Sequence, residues 1–518
     1  MKKILLIFTL LFPMFSHSRG IDDKINDWFK PIADAWVNIV LYPINFSDEI
    51  SIPIVLILLV LGAIFFTLRF SFVNITHFST AIKTVRGDYD DIENEKYESD
   101  KTKKIKEEGE VSHFQALATA VSGTVGLGNI AGVALAIAIG GPGATFWMIV
   151  CGLIGMSTKF VECTLGVKYR DVGLDGTVYG GPMYYLSKGL KEGGYEKLGK
   201  GLAILFAFLC VGASFGGGNA AQSNQAALQI ASILGMDGGS AGTSIGFTLA
   251  IIVGIVIIGG IKRIASVTEK IVPFMALIYV LACLFIIFSN FNYIDNAFSL
   301  IFKGAFSLQA GFGGLLGVLI VGFQRAAFSN EAGAGSAAIA HSAVKTKYPA
   351  SEGVVALLEP FIDTVVICTM TALVIIIFNS SGAFLYGGEG GVMIDGVMYE
   401  GAGITAKAFD QYIPGSEYFL TTAVVLFAVS TMILWSYYGI QSWKYLFGKG
   451  KVADMVYKFM FLAFIIIGSA ASMNSIWAFS DAMIFAMVFP NMIGLYFLFP
   501  VVREQLKKYL KVIKESKV

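Results

Sequence analysis

The chain has 518 residues, of which 55% are hydrophobic and only 14% are charged, and its formal net charge at pH 7 is +1. This composition is typical of a polytopic membrane protein. No basic patch with interleaved aromatic residues occurs, so we expect no nucleic-acid partner. The five cysteines fall in apolar segments and are interpreted as small buried side chains rather than as disulfides or metal ligands.

The N-terminal region is predicted to contain a leader and one spanning helix. Residues 1–19 combine two lysines, a short apolar run and small polar residues, the layout of a signal peptide. A short hydrophobic tail that stays on the protein is the alternative. Residues 20–112 are predicted to hold an amphipathic segment from Trp28 to Ile44 along the outer membrane face, a spanning helix at 51–68 and a charged loop at 69–112.

Ten further apolar segments follow, each long enough to cross a bilayer. They lie at 114–139, 144–167, 201–231, 245–260, 266–289, 312–340, 353–378, 419–443, 453–472 and 475–502. Together with 51–68 they predict an all-α membrane protein with eleven transmembrane helices. The ten divide into two groups of five, residues 113–300 and 301–502, and each group opens on a glycine-interrupted helix. Because the number per group is odd, the groups would form an inverted repeat.

The charge of the loops predicts the orientation of the bundle. The loops on one side, with the tail 503–518, hold 26 Lys or Arg, whereas those on the other side hold only Lys303 and Lys407. Cytoplasmic loops carry the excess of basic residues. We therefore expect a multi-pass protein of the bacterial cytoplasmic (inner) membrane with a cytoplasmic C-terminus.

The first interruption reads Ser122-Gly-Thr-Val-Gly-Leu-Gly-Asn129, and a similar stretch recurs at 329–338, offset by 207 residues. Both copies have Ser, Gly, Gly and Ala at the same spacing, although the 58 glycines of the chain make chance matches an alternative. Gly126-x-Gly128 also begins like a dinucleotide-binding fingerprint, but no predicted strand precedes it. A broken helix is tolerated in a membrane only where its backbone is buried and lines a cavity, as at transporter sites.

The first break offers groups for both an anion and a cation. The freed amides of Leu127 and Gly128 would form the positive end of a half-helix, which suits a carboxylate. Glycine allows a ligand to approach the backbone closely. The oxygens that can coordinate a hard cation are the carbonyls of Ser122, Thr124 and Val125 and the side chain of Asn129.

Two other helices are predicted to complete the cavity. Phe215, Asn219 and Gln222 recur at i, i+4 and i+7 and should share one helix face. Ser430 and Thr431 lie at mid-membrane, and Trp435 follows one turn below Thr431. Such hydroxyls often bond to their own backbone or to a neighbouring helix, and a lone tryptophan often only packs, so both alternatives stay open at this point.

The ionisable residues inside predicted spans include Lys159, Glu162, Arg325, Glu331 and Asp363. Lys159 and Glu162, at i and i+3, are interpreted as neutralising each other. The other three are functional hypotheses by default. Glu331 is interpreted as holding the geometry of the second break by accepting backbone N–H bonds, with stabilisation of a ligand ammonium as the alternative.

Several motifs resemble those of one family of transporters. The motifs are 123–133, 140–144, 180–184 (Gly-Gly-Pro-Met-Tyr), 328–333 (Phe-Ser-Asn-Glu-Ala-Gly) and 435–439 (Trp-Ser-Tyr-Tyr-Gly). They are similar to the alanine or glycine:cation symporter family of the amino acid–polyamine–organocation superfamily. The resemblance implies a five-plus-five inverted repeat and uptake of a small neutral amino acid, alanine or glycine, coupled to sodium by alternating access. It implies neither an enzyme nor an organic cofactor.

A proton-coupled transporter or a small-solute channel of the same architecture is the alternative function. The sequence leaves the oligomeric state open, and a monomer in the lipid bilayer is compatible with it.

A more distant resemblance, of residues 125–129 to the broken first helix of bacterial neurotransmitter:sodium symporters, implies roles for individual residues. The carbonyls of Ser122 and Val125 and the hydroxyls of Ser430 and Thr431 would bind sodium, and Asn129 would belong to a second sodium site. The predicted substrate site comprises Thr124, Gly126, Leu127, Gly128, Asn129, Phe215, Asn219, Gln222, Phe328, Asn330 and Trp435.

Overall fold

The computed structural model describes residues 21–47, 50–93, 109–173, 176–236, 239–258, 260–307, 311–388 and 390–516. The predicted signal peptide lies outside the described residues, as does much of the charged loop. Helices of the first half are α1 Ile21–Val40, α2 Ile54–Arg69, α3 Val73–Thr76, α4 Phe78–Arg86, α5 Asp90–Glu93, α6 His113–Thr124, α7 Val133–Gly140, α8 Gly143–Lys168, α9 Pro182–Glu192, α10 Glu196–Phe215, α11 Ala221–Leu234, α12 Ala241–Ile257, α13 Gly260–Ser289 and α14 Ile294–Ala305.

Helices of the second half are α15 Gly311–Asn330, α16 Ala337–His341, α17 Pro349–Val355, α18 Leu358–Pro360, α19 Thr369–Phe378, α20 Ala402–Tyr412, α21 Ser416–Phe447, α22 Lys451–Ala470 and α23 Met473–Glu515. Three π-helical turns interrupt this series, at Gly128–Gly132, Gly216–Ala220 and Phe361–Cys368. Short antiparallel hairpins connect helices: β1 Pro43–Ser47 with β2 Ile50–Pro53, β3 Asp171–Val172 with β4 Val178–Tyr179, and β5 Gly391–Ile394 with β6 Val397–Glu400. The protein is thus mostly helical, as expected.

Within the described parts of the chain, seven helices are long and apolar enough to cross a membrane. The bent pair His113–Thr124 and Gly128–Gly140 raises this number to eight if it forms a single span. The other three predicted spans coincide with the shorter apolar helices α2 and α12 and with α15. Eleven crossings and an inverted repeat therefore stay a prediction.

The first broken helix bends by 52° between α6 and the π-turn that leads into α7. Ser112 begins it with a capping box: the Ser112 hydroxyl accepts from the Gln115 amide, and the Gln115 side chain accepts from the Ser112 amide. In a continuous helix, the Gly126 N–H would donate to the Ser122 carbonyl. It donates instead to Asn129 Oδ1 at 2.8 Å, which frees that carbonyl.

The second break lies between α15 and α16 and is built from left-handed residues. Gly333 and Gly335 have φ angles of 94° and 88°, and Glu331 has a φ of 55°. Glycine adopts such angles without strain, whereas a glutamate is an uncommon choice there. A Cβ on Gly333 would also lie 2.3 Å from Leu59, so this turn has no room for a side chain.

The last helix, α23, is longer than predicted. It continues through Pro490 and Pro500 to Glu515, so the predicted tail after residue 502 is an extension of the helix. At the other end of the chain, α1 is amphipathic: Trp28 is exposed, and Phe29 is buried with its ring 5.0 Å from that of Phe479. This pattern agrees with the amphipathic segment that the sequence predicts.

Candidate functional site

A small cavity of about 10 Å³, room for about one water molecule, lies where the two breaks meet. It is lined by Gly123, Thr124, Gly126, Gly128, Gly217, Gln222, Phe328, Ser329, Glu331, Trp435 and Ile484. Six residues of the predicted substrate site are among them: Thr124, Gly126, Gly128, Gln222, Phe328 and Trp435. The cavity thus brings together residues that are far apart in the sequence, from both breaks and from three other helices.

The two breaks touch each other directly. A Cβ on Gly128 would lie 3.2 Å from the Cα atom of Ser329, so glycine is what allows the two backbones to approach this closely. Gly128 therefore contributes contact between the breaks as well as cavity wall. A leucine at this position would push the two breaks apart, in addition to occupying the place where a substrate carboxylate is expected to bind.

A buried carboxylate, that of Asp363, joins the two breaks. Its Oδ1 accepts from Asn129 Nδ2 at 2.7 Å, and its Oδ2 accepts from the Ser329 hydroxyl at 2.8 Å. The Thr364 hydroxyl donates to Oδ2 at 2.8 Å as well. Sequence reasoning flagged Asp363 only as an ionisable residue inside a span, since nothing local indicates which groups it would contact.

The predicted cation ligands are partly assembled. The freed Ser122 carbonyl lies 3.2 Å from Thr431 Oγ1, which donates to it. Two oxygens at this separation leave room for a hard cation about 2.4 Å from each, and the hydroxyl can rotate to present a lone pair. Val125 ends α6 with a ψ of 88°, which turns its carbonyl out of the helical ladder. Ser430 is buried but donates to the Phe427 carbonyl of its own helix at 2.9 Å.

Substituting Gly126 by alanine tests this geometry. The added Cβ would lie 2.6 Å from Thr431 Oγ1, so the hydroxyl would have to leave the Ser122 carbonyl. We expect the sodium concentration for half-maximal uptake to rise at least about fivefold, which corresponds to a loss of ~1 kcal/mol in the apparent free energy of sodium binding. The matched control is Gly132→Ala in the same broken helix, where the nearest atoms to the Cβ lie 3.9 Å away in the Trp477 ring. Equal sodium dependence in the two variants would contradict a cation site at Thr431.

The amide end of the second half-helix has an acceptor in the cavity. The Leu127 N–H donates to Gln222 Oε1 at 3.3 Å, and Gln222 Nε2 donates to the Gly217 carbonyl at 3.0 Å. The glutamine oxygen thus occupies a position in which a substrate carboxylate oxygen could accept the same N–H bond.

The expectation that Phe215, Asn219 and Gln222 share one face is wrong. The π-turn Gly216–Ala220 lies between them and changes the register, so an i, i+7 spacing no longer aligns the side chains. Phe215 stacks on Phe464 at 4.7 Å, and Asn219 Nδ2 donates to the Phe461 carbonyl at 2.6 Å. Both side chains therefore face α22, and Gln222 alone of the three lines the cavity.

Asn129 and Asn330 belong to the frame of the breaks. Asn129 uses its oxygen on the Gly126 amide and its nitrogen on Asp363. Asn330 Oδ1 accepts from the Ala332 amide at 3.0 Å, and its Nδ2 donates to Thr364 Oγ1 at 2.9 Å. Both side chains thus help to close a broken backbone, and neither is among the residues that line the cavity.

Glu331 both faces the cavity and holds the second break. It accepts from the Trp435 Nε1–H at 3.1 Å and from the Ser336 hydroxyl. The structural interpretation expected backbone N–H donors, and the donors are side chains instead. Trp435 in turn packs on Gly218, where a Cβ would lie 2.1 Å from the indole. Sequence reasoning placed Trp435 in the cavity but missed its bond to Glu331.

The other ionisable residues have partners from distant segments. Lys159 pairs with Glu359 at 3.0 Å, and Glu162 accepts from Asn491 Nδ2 at 2.6 Å, so each makes its direct contact with another segment rather than with the other. An i, i+3 spacing permits a pair but does not exclude a better partner on a neighbouring helix.

Arg325 borders the cavity from one side. It pairs with Asp481, and its guanidinium lies 5.8 Å from the ring of Phe328 and 5.7 Å from that of Trp477. Sequence reasoning did not assign four lining residues to the site: Gly217, Ser329, Gly123 and Ile484. The glycine run 216–218 and the Ser-Gly repeat are the signals that could have indicated the first two.

A glycine-broken helix, a second break against it and a small buried cavity between them define a membrane transporter with a central binding site. The chain belongs to the sodium:alanine symporter family, whose sequence profile matches residues 38–518. It is 42% identical to the sodium/alanine symporter AgcS of Methanococcus maripaludis over 465 residues. The aligned region covers 90% of this chain and 96% of that protein.

Two relatives from Bacillus subtilis are named for other cation or substrate preferences. A putative sodium/proton-dependent alanine carrier, YrbD, is 36% identical over 419 residues, covering 79% of this chain and 83% of the relative. A probable sodium/glutamine symporter, GlnT, is 32% identical over 474 residues, 91% of each chain. The protein is therefore a multi-pass membrane transporter of a family that carries out cation-coupled amino-acid symport.

Proposed function

We propose that this protein imports a small neutral amino acid, alanine or glycine, with sodium as the coupling ion, by alternating access across the bacterial inner membrane. The observation that carries the proposal is the first break itself. One bend frees the Ser122 carbonyl beside the Thr431 hydroxyl and, a few residues later, brings the Leu127 amide to Gln222, which lines the cavity. A cation and a carboxylate can bind side by side there, and each would strengthen the binding of the other.

The cavity supports a small substrate. It is narrow and is bounded by the large side chains of Phe328, Trp435 and Ile484. Trp435 cannot move toward α10 and α11 without meeting the backbone at Gly218, and its indole is bonded to Glu331. A methyl side chain or a hydrogen fits this space more readily than a glutamine side chain.

Eleven crossings in a five-plus-five inverted repeat, with the C-terminus in the cytoplasm, belong to the same proposal. The similar glycine-rich breaks of the two halves support the repeat, and the basic loops support the orientation.

Uptake into proteoliposomes tests the proposal. With an inward sodium gradient, we expect saturable and concentrative uptake of radiolabelled alanine that glycine inhibits and glutamine does not. Replacing sodium by lithium or potassium, or by a proton gradient alone, should reduce the initial rate at least about tenfold, which corresponds to an increase of ~1.4 kcal/mol in the activation free energy. The relative YrbD is named a putative sodium/proton-dependent alanine carrier, which makes proton coupling the second candidate, and full activity with a proton gradient and no sodium would favour it. Non-saturable flux would indicate a channel.

A further inference from the structure

A buried chain of ionisable side chains extends away from the cavity region toward the loops of the basic side. We call it the histidine–carboxylate cluster; its members, in order of contact, are Glu93, His113, Glu352, His341, Glu359 and Lys159. All six are between 0% and 6% exposed. His113 Nε2 lies 2.7 Å from Glu93, and its Nδ1 contacts Glu352. His341 lies 2.5 Å from Glu352 and 3.3 Å from Glu359.

The hydrogen bonds of the cluster require two more protons than it would hold with neutral histidines, ionised carboxylates and a protonated Lys159. Every ring nitrogen of both histidines faces a carboxylate oxygen, and an ionised carboxylate only accepts. A neutral imidazole donates from one nitrogen only, so each histidine needs a second proton, or its carboxylate partner must carry one. The charge balance agrees: three carboxylates and Lys159 leave a deficit of two positive charges. Leaving that deficit buried would cost several kcal/mol.

The cluster joins the ends of both broken helices. His113 is the first residue of α6, and His341 is the last residue of α16. Glu352 and Glu359 lie on α17 and α18, Lys159 lies on α8, and Glu93 lies on the loop helix α5. The basic loops place all of these ends on the cytoplasmic side. Among the described residues, the other ionisable groups near the cluster are Asp90 and Tyr509 beside Glu93 and His113, and Glu162, Cys163, Glu331, Asp363 and Tyr438 beside Lys159 and Glu359.

We propose that the histidine–carboxylate cluster is a proton-binding site that latches the cytoplasmic ends of the two broken helices, and that opening toward the cytoplasm releases its two protons. This inference rests on the alternating access and orientation of the proposed function. Opening separates the members and hydrates them, and a hydrated imidazole loses its proton near pH 6.5. The closed state thus binds more protons than the open state, so a rising cytoplasmic pH favours opening. The protons bind and leave on the same face, so none crosses the membrane.

A buried cysteine provides the reporter. Cys163 on α8 is fully buried and packs against Ala337 at the start of α16 and Ala356 between α17 and α18. Separation of these elements would expose it. The experiment uses full-length protein in nanodiscs with the other four cysteines replaced by alanine. It measures the rate of modification by N-ethylmaleimide from about pH 6.5 to about pH 8.5, divided at each pH by the rate for N-acetylcysteine, which removes the titration of the thiol itself.

The normalised rate of the reporter protein is expected to rise at least about tenfold over this range, because up to two protons are released on opening. In His341→Gln/Glu352→Gln, one histidine–carboxylate pair becomes neutral amides and one required proton remains, so the slope should fall to about half. Adding Glu93→Gln and His113→Gln leaves only Lys159 and Glu359 of the cluster, so neither required proton remains and the slope should fall further, to well below half of that in the reporter protein. The exposed pair Glu504 and Lys508 provides the control: changing both to Gln should leave the slope as in the reporter protein.

A flat profile in the reporter protein, or an unchanged slope in the double and quadruple variants, would overturn the latch. Proton uptake that accompanies alanine transport and disappears in the double variant would overturn it too, because the cluster would then be a coupling path. The labelling requires no transport, so the result is independent of the sodium-dependence test of the proposed function.

Discussion

Replacing Thr431 by valine is expected to raise the sodium concentration for half-maximal uptake at least about tenfold, which corresponds to ~1.4 kcal/mol. Valine keeps the volume of the side chain and removes its oxygen. Sodium is a hard cation that needs several oxygens in place of its hydration shell, and the Ser122 carbonyl would lose the neighbour that lies 3.2 Å away. The apparent affinity for alanine should fall as well, since ion and substrate binding are reciprocally linked.

Two further variants make this result specific. Thr422 lies on the same helix, is exposed and donates to the Tyr418 carbonyl, so Thr422→Val should behave as the unmodified protein. Ser430→Ala should have a smaller effect than Thr431→Val, because only the Thr431 hydroxyl contacts the freed Ser122 carbonyl, whereas Ser430 is bonded to its own helix. Wild-type sodium dependence of Thr431→Val at normal membrane levels would refute the assignment, and coupling would have to occur elsewhere.

Substituting Asp363 by asparagine is expected to abolish uptake and to destabilise the protein by about 3 kcal/mol. Asparagine has the same shape, but it puts an N–H₂ group against donors from Asn129, or from Ser329 and Thr364. At least one buried donor then loses its acceptor, and an orphaned group costs about 1–3 kcal/mol. Because Asp363 ties the two breaks together, the cavity between them would lose its shape. Thermal unfolding in detergent and sodium-driven uptake measure the two effects.

The neighbouring Cys368 offers a matched control. Its sulfur lies 3.3 Å from Asn129 Nδ2 and 3.6 Å from the Ser329 hydroxyl, so it touches the same two groups with a much weaker acceptor. Cys368→Ala should therefore change stability by less than about 1 kcal/mol and keep uptake. If Asp363→Asn unfolds at the same temperature as Cys368→Ala and still transports, the two breaks do not depend on this carboxylate.

Several features could be predicted from the sequence because their signals are local. Glycines and hydroxyls at 122–129 and 329–336 interrupt apolar segments, and a backbone break depends mainly on the residues at the break itself. Membrane-spanning helices follow from segment length and hydropathy. The proposed cation position came from the resemblance to bacterial neurotransmitter:sodium symporters, and Thr431 does lie at the Ser122 carbonyl.

Other features depend on which segments become neighbours, and only the tertiary structure decides that. Phe215 and Asn219 contact α22 because the π-turn Gly216–Ala220 changes the register of the helix, although their spacing predicted a face shared with Gln222. Lys159 pairs with Glu359, 200 residues away in the sequence, and not with Glu162 on its own helix. Asn129 and Asn330 were consumed in closing the breaks, and Asp363 and the histidine–carboxylate cluster acquired their partners from distant helices. Buried polar groups must find partners, and a sequence shows the groups that need partners without showing which ones the fold brings within 3 Å.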